Sequence, residues 1–256
     1  MPAHDIITIG ASAGGVEALQ NLVRLLPSGL AASVFIVLHI PENSPSFLPV
    51  ILDRAGKLPV LSPADKTTIK HRCIYVAPRD HHMFLEPGRV RIIRGPKENR
   101  QRPAVDPLFR SAASVYRSRV VGVVLTGNLD DGTAGLSAIK TCGGTTVAQD
   151  PAEALFPDMP ANALRNATVD YQLSINQIAE LLTDLASRPA SNAPDHVPAN
   201  IQTEVEFSKM KKEIEDMSEL GGAPTAFACP SCHGARGEAD ESADSIRTLL
   251  NGGKEP

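Results

Sequence analysis

Asp5-Ile6-Ile7-Thr8-Ile9-Gly10-Ala11-Ser12-Ala13-Gly14-Gly15 begins as an apolar run that stops at Gly10. After Gly15 a helical pattern starts, with Val16, Leu19, Leu22, Val23 and Leu26 recurring at three- and four-residue spacing. Between strand and helix, Gly10-Ala11-Ser12-Ala13-Gly14 matches G-x-S-x-G. In a sharp strand-to-helix turn this spacing puts a serine hydroxyl at the carboxyl end of a sheet, with glycines relieving the crowding. The helix start behind it offers free N–H groups and a positive dipole end to a developing oxyanion. An anion-binding turn and a purely structural turn fit the same stretch. A dinucleotide fingerprint would need glycine at 12, and a P-loop would need lysine before the helix; neither is present.

Working outward, Ser33 to Ile40 is β-branched and apolar and reads as a second buried strand ending at His39. Residues 43–55 predict a short helix. Val60-Leu61 and Cys73 to Ala77 predict short strands, and 78–94 a β-hairpin turning at Pro87-Gly88. Residues 95–107, with three prolines, read as a polar loop before a helix over 108–115. Val120 to Thr126 is the clearest buried strand; it runs into Gly127-Asn128-Leu129-Asp130-Asp131-Gly132 and a helix from Ala134 to Lys140. Another strand over 145–148 and helices over 161–165 and 175–185 follow. Strands alternating with helices in this way predict an α/β fold: a doubly wound, mainly parallel sheet with helices on both faces and a small β-hairpin.

The 256 residues suffice for one such domain, expected over 1–186. A Ser-, Pro-, Ala- and Asn-rich linker is expected over 187–203, then a charged, partly disordered extension over 204–256. A hydrophobic content of 42% and a net charge of −4 give no global case for nucleic acid or an anionic membrane as partner. No signal peptide and no apolar run of membrane-spanning length is visible, so no membrane insertion is expected. Four scattered cysteines predict a reduced, cytoplasmic protein.

Three strand ends carry chemistry: Ser12 after the first strand, His39 at the second, and Asp130-Asp131 after the 120–126 strand. Strand carboxyl ends gather along one edge of an open parallel sheet, where ligands bind. A serine that attacks, an imidazole that takes its proton and a carboxylate that fixes the tautomer are the parts of acyl-transfer chemistry. Taken singly, His39 also fits a satisfied core histidine and the aspartates a helix cap.

Gly10 to Gly15, Val37-Leu38-His39-Ile40, Val76 to Met83, Arg102-Pro103-Ala104-Val105-Asp106, Leu125-Thr126-Gly127 with Asp131-Gly132, and Ala148-Gln149-Asp150 occur together and in order. In this, residues from about 4 to 186 resemble the catalytic domain of CheB-type chemotaxis protein-glutamate methylesterases. The resemblance implies hydrolysis of glutamate γ-methyl esters on the cytoplasmic helices of methyl-accepting chemotaxis receptors, and in some members deamidation of receptor glutamines. It implies Ser12 as nucleophile, His39 as general base and Asp131, rather than Asp130, as orienting acid, with no cofactor and no metal. The alternative is a receptor-binding or adaptor module of the same fold with weak or no esterase activity.

Three departures from the family pattern stand out. Ala13 replaces threonine, and Asn128-Leu129 replace Met-Gly. The chain begins at the catalytic strand, where typical members carry a phospho-receiver domain. A backbone N–H near Asn128 is expected to help hold the oxyanion.

His81 and His82 read either as part of a loop near the site or as a solvated turn. Arg89, Arg91, Arg94, Lys97, Arg100 and Arg102 crowd into fourteen residues. They suit either an acidic receptor helix or a plain solvated face; without aromatic interleaving they do not read as a nucleic-acid site. Cys229-Pro230-Ser231-Cys232-His233 is half a zinc knuckle with no second C-x-x-C, so no metal is expected there.

Overall fold

Strand β1 (Ile6–Ala11) is buried along its whole length, as an apolar run with a sheet on both sides and helices on both faces must be. The computed structural model describes residues 3–40, 46–190, 194, 196–209, 224–228 and 235–237. Beside β1 lie β2 (Ser33–Leu38) and β7 (Val120–Val124), both parallel to it. Outward from β2 come β4 (Cys73–Val76) and β3 (Val60–Leu61); outward from β7 come β8 (Thr145–Gln149) and β9 (Tyr171–Leu173). The seven strands run in the order β3-β4-β2-β1-β7-β8-β9, all parallel. The chain therefore winds one way from β1 and then the other, and the switch point falls between β1 and β7.

Alternation along the strands sorts the core into two layers. Ile7, Ile9, Val34, Ile36, Val121 and Val123 pack with α1 (Gly15–Leu25), α2 (Leu48–Ala55) and α6 (Ile175–Leu185). Ile6, Phe35, Val37, Tyr75, Val120 and Val124 pack on the other face, with α3 (Val105–Tyr116), α4 (Thr133–Thr141) and α5 (Asp158–Asn166). A two-stranded antiparallel hairpin, β5 (His82–Glu86) and β6 (Arg89–Ile93), closes over that second layer. Each buried leucine such as Leu19 or Leu22 contributes about 1.5–3 kcal/mol. Helix α6 starts where a capping box fixes it, with Ser174 and Gln177 bonded reciprocally. The doubly wound α/β sheet with its hairpin is the fold the sequence predicts.

Four local differences appear. Helix α3 starts at Val105, inside the stretch read as a polar loop. Pro107 sits in its first turn, where a missing N–H costs nothing. Val16 lies on the outer side of α1, 40% exposed. Strand β9, an exposed edge, has no sequence signal of its own. Helix α7 (Ala199–Lys209) straddles the boundary drawn at 203, with Ile201 and Val205 buried. Farther on, β10 (Pro224–Ala228) pairs antiparallel with β11 (Ala235–Gly237). Cys229, Cys232 and His233, and most of the charged 204–256 stretch, lie outside the described residues.

Candidate active site

The register of the central strands brings the predicted residues together. Ala11 is paired with Leu38, so the next residues, Ser12 and His39, leave the sheet side by side. Both stay in the ladder by backbone bonds, His39 N–H to Ala11 O at 3.2 Å and Ser12 N–H to Thr126 O at 3.0 Å. The chain then turns into α1 through Gly14, whose φ of 72° is open to glycine and costly for other residues. On the far side the loop after β7 passes against the serine. A Cβ at Gly127 would lie 2.7 Å from Ser12 Cβ, so only glycine fits there.

Ser12 Oγ lies 3.2 Å from His39 Nδ1, and His39 Nε2 lies 2.6 Å from Asp131 Oδ2. The carboxylate only accepts, so Nε2 carries the hydrogen and the Nδ1 lone pair faces the serine hydroxyl. Ser12 is half-buried, the His39 side chain is 9% exposed, and Asp131 is 2% exposed. Asp130 is not in this line; its carbonyl accepts from Thr133 N–H at the start of α4.

The Asp131 carboxylate is saturated with donors. Besides His39 it accepts from Val105 N–H at 2.7 Å, Asp106 N–H at 3.1 Å and the Asn99 amide at 2.7 Å. Val105 and Asp106 begin α3, so the positive end of that helix points at the carboxylate. Burial pushes Asp131 upward, but the hydrogen bond and charge of His39, then Val105 N–H and Asn99, hold it below the usual carboxylate range.

Sequence reasoning placed Asp106 in a motif without giving it a role, and did not single out Asn99. Asp106 Oδ1 accepts from Gly132 N–H at 3.1 Å and Gly135 N–H at 2.7 Å. It thereby caps α4, which has no side-chain cap of its own. Asp131 caps α3 and Asp106 caps α4, so the two helix starts exchange carboxylates. Burial and then the charge of Asp131 push the Asp106 carboxyl up to about 7. The signal that would have found Asp106 was proline in a first helical turn. Asn99, at the tip of a loop, carried only the left-handed preference of asparagine.

His82 is fully buried and belongs to the structure rather than to a solvated turn. Its Nε2 bonds Pro96 O at 2.8 Å, and its Nδ1 accepts from Ala104 N–H at 3.2 Å. Half-buried His81 bonds Arg79 O at 3.1 Å. Much of the cationic run is neutralised within the fold. Arg91 pairs with Asp65 at 2.8 Å and Glu86 at 2.9 Å, and Arg94 and Arg102 both hold Asp80. Among the described residues no group of three or more His, Cys, Asp or Glu side chains gathers as a metal site would, and no helix is long and apolar enough to cross a membrane.

A parallel sheet whose switch-point edge links a serine, an imidazole and a buried carboxylate by hydrogen bonds has the architecture of an α/β serine hydrolase. The family model described as CheB methylesterase matches residues 7–182, and the chain belongs to that family. A relative from Leptospira interrogans is 37% identical over 183 residues, 71% of this chain and 95% of that one. A protein-glutamate methylesterase/protein-glutamine glutaminase of Trichodesmium erythraeum is 36% identical over 180 residues, 69% of this chain and 51% of that one. The chain thus spans nearly all of the first relative and about half of the second. The Thermotoga maritima CheB methylesterase catalytic domain superposes with a TM-score of 0.68 at 33% identity, covering 71% of this chain and 98% of that one.

Proposed function

We propose that this chain hydrolyses glutamate γ-methyl esters on the cytoplasmic helices of chemotaxis receptors, with Ser12, His39 and Asp131 as the catalytic residues. The observation that carries the reading is the hydrogen-bonded line from Ser12 Oγ through His39 to Asp131. As Ser12 Oγ attacks the ester carbon, its proton moves to His39 Nδ1 and the carbonyl π pair moves onto oxygen. The imidazolium is held by ionised Asp131. Collapse expels the methoxy group, which leaves as methanol with the Nδ1 proton. Water then attacks the acyl-serine, giving one proton to His39; collapse breaks the acyl–Oγ bond, His39 returns the proton to Ser12, and the released glutamic acid loses water's second proton to solvent. The same cycle on a receptor glutamine would release ammonia.

The oxyanion faces the N–H groups of Ala13 and Asn128 in this reading. Among the described residues neither has a hydrogen-bond partner within the chain. Leu129 supports the reading as well. Its φ of 68° is left-handed, a conformation that suits the glycine of the family pattern and strains a leucine. Ser12 is half-buried, and exposed apolar side chains sit on the neighbouring segments, Leu129 at 56% on the loop after β7 and Leu155 at 67% against Gly14. That rim suits an ester carried on a protein helix, with the reaction placed in the cytoplasm.

The test is methanol release from a methylated receptor cytoplasmic fragment. Wild type is expected to release it and Ser12→Ala, folded by circular dichroism, to release none. Undiminished release by Ser12→Ala would refute the reading.

A further inference from the structure

The loop that carries Asn99 is built as a rigid tip. Glu98 and Gln101 bond reciprocally, at 3.2 and 2.7 Å, around Asn99 and Arg100, whose φ values are 49° and 64°. Two consecutive positive φ values make a type I′ turn, and asparagine at its first central position is the residue that tolerates it best among those with a side chain. Arg102 ties the base of the loop to Gly95 O at 2.6 Å. The tip lies against the triad. The Asn99 amide nitrogen donates to Asp131 Oδ1 at 2.7 Å and to Asp106 Oδ2 at 2.9 Å, one hydrogen to each carboxylate.

The loop in turn is held from behind by α7, which lies beyond the residues the family model matches. Arg110, 4% exposed on α3, pairs with Glu98 on the loop and donates to Ser208 Oγ on α7 at 3.0 Å. Glu204 of α7 also faces Arg110, at 3.6 Å. A Cβ at Gly95 would sit 2.5 Å from Ser208 O, so loop and helix are in direct contact. Ile201 and Val205 hold α7 down, at 4% and 5% exposure.

We propose that Asn99 is a positioning residue that aims Asp131 at His39, and that α7 keeps it in place through Glu98, Arg110 and Ser208. The inference deepens the proposed reading of the site and rests on it. A buried carboxylate pair with one shared donor has few ways to keep both orientations without that donor, and small misplacements of catalytic groups are expensive.

The test uses the full chain and two readouts that need no receptor. One is the rate at which a fluorophosphonate labels Ser12, followed by intact mass. The other is the far-downfield proton resonance of His39 Nε2–H. Asn99→Gly keeps the left-handed backbone and removes the amide. Labelling is expected to slow roughly 10- to 100-fold, the scale of a misplaced catalytic group. The resonance is expected to move, and the acid limb of the labelling rate to shift to higher pH because the carboxylate pair loses a donor to its ionised form. Wild-type labelling with an unmoved resonance would overturn the role of Asn99. Should Asn99→Gly not fold, Asn99→Asp keeps the backbone preference and sets a third carboxylate against the pair; it is expected to label more slowly still, and wild-type labelling would overturn the role.

For α7, the double variant Ile201→Ala/Val205→Ala is expected to slow labelling in the Asn99 protein and to add nothing in the Asn99→Gly background. Equal slowing in both backgrounds, or none in either, would overturn the link. If wild-type Ser12 takes no label at all, the hydrolase reading has failed, and the resonance alone decides whether Asn99 positions Asp131.

Discussion

Replacing Asp131 with asparagine is nearly isosteric, yet the structure predicts a large effect. The carboxylate accepts four hydrogen bonds, two on each oxygen: His39 and Val105 on Oδ2, Asn99 and Asp106 on Oδ1. An asparagine offers one accepting oxygen and one donating NH2. With its oxygen in the Oδ2 place, the NH2 faces two donors, Asn99 and Asp106 N–H. With its oxygen in the Oδ1 place, the NH2 faces His39 Nε2 and forces the proton onto Nδ1. The imidazole then has no lone pair for the Ser12 hydroxyl. Either way two charge-assisted bonds are lost, about 1.5–3 kcal/mol each, so about 3–6 kcal/mol before relief of the repulsion between residues 131 and 106 offsets part of it. The wrong tautomer alone costs about 10⁴-fold in kcat in a serine triad. The assay is methanol release together with fluorophosphonate labelling of Ser12, on folded protein. A variant within about 10-fold of wild type in both would refute the assignment of Asp131 as the group that fixes the imidazole.

Gly127→Ala should fold less stably by about 1–3 kcal/mol and lose most activity, because the new Cβ meets Ser12 Cβ at 2.7 Å and Met159 from the other side; a denaturant titration and an activity measurement check both. Burial holds His82 neutral, below its ordinary 6.5, against the raising effect of its bond to Pro96 O. The unfolded chain therefore takes up the proton first, so the stability His82 contributes is complete above about pH 6.5 and is lost as pH falls through the lower folded value. Melting curves of His82→Gln should lose that part of the acid slope. Asp106 has the opposite sign: its folded carboxyl titrates at about 7 against an ordinary 3.8. Its contribution is full below about pH 3.8 and is lost as pH rises through 7, and Asp106→Asn should flatten the stability profile across that window.

Legibility in the sequence followed physical cause. The apolar runs of β1 and β7 and the periodicity of α6 have one cause each, burial on two sides or on one stripe, and they read directly. The meeting of Ser12 and His39 read because each ends such a run, and a parallel register carries neighbouring strand ends to the same place. The pair Asp130-Asp131 read through its position after β7, and the resemblance, not the position, singled out Asp131. The roles of Asp106 and Asn99 did not read, because they arise from contacts between elements. Asp106 was hidden by a proline that normally marks a loop and here begins a helix. Asn99 acts from a turn whose tip is aimed only once α3, β5 and α7 are packed. Strand β9 is three residues at an exposed edge, too short and too polar for alternation to show. The cationic run read as a surface patch because the partners of Arg91, Arg94 and Arg102 lie on other segments.

The most direct measurement is mass spectrometry of the protein acid-quenched during turnover of a methylated receptor helix. A covalent acyl adduct on Ser12, formed with the loss of one methanol and absent from His39→Ala, is the result expected here. Turnover with no adduct on Ser12, or an adduct that forms as readily when His39 is gone, would contradict the account.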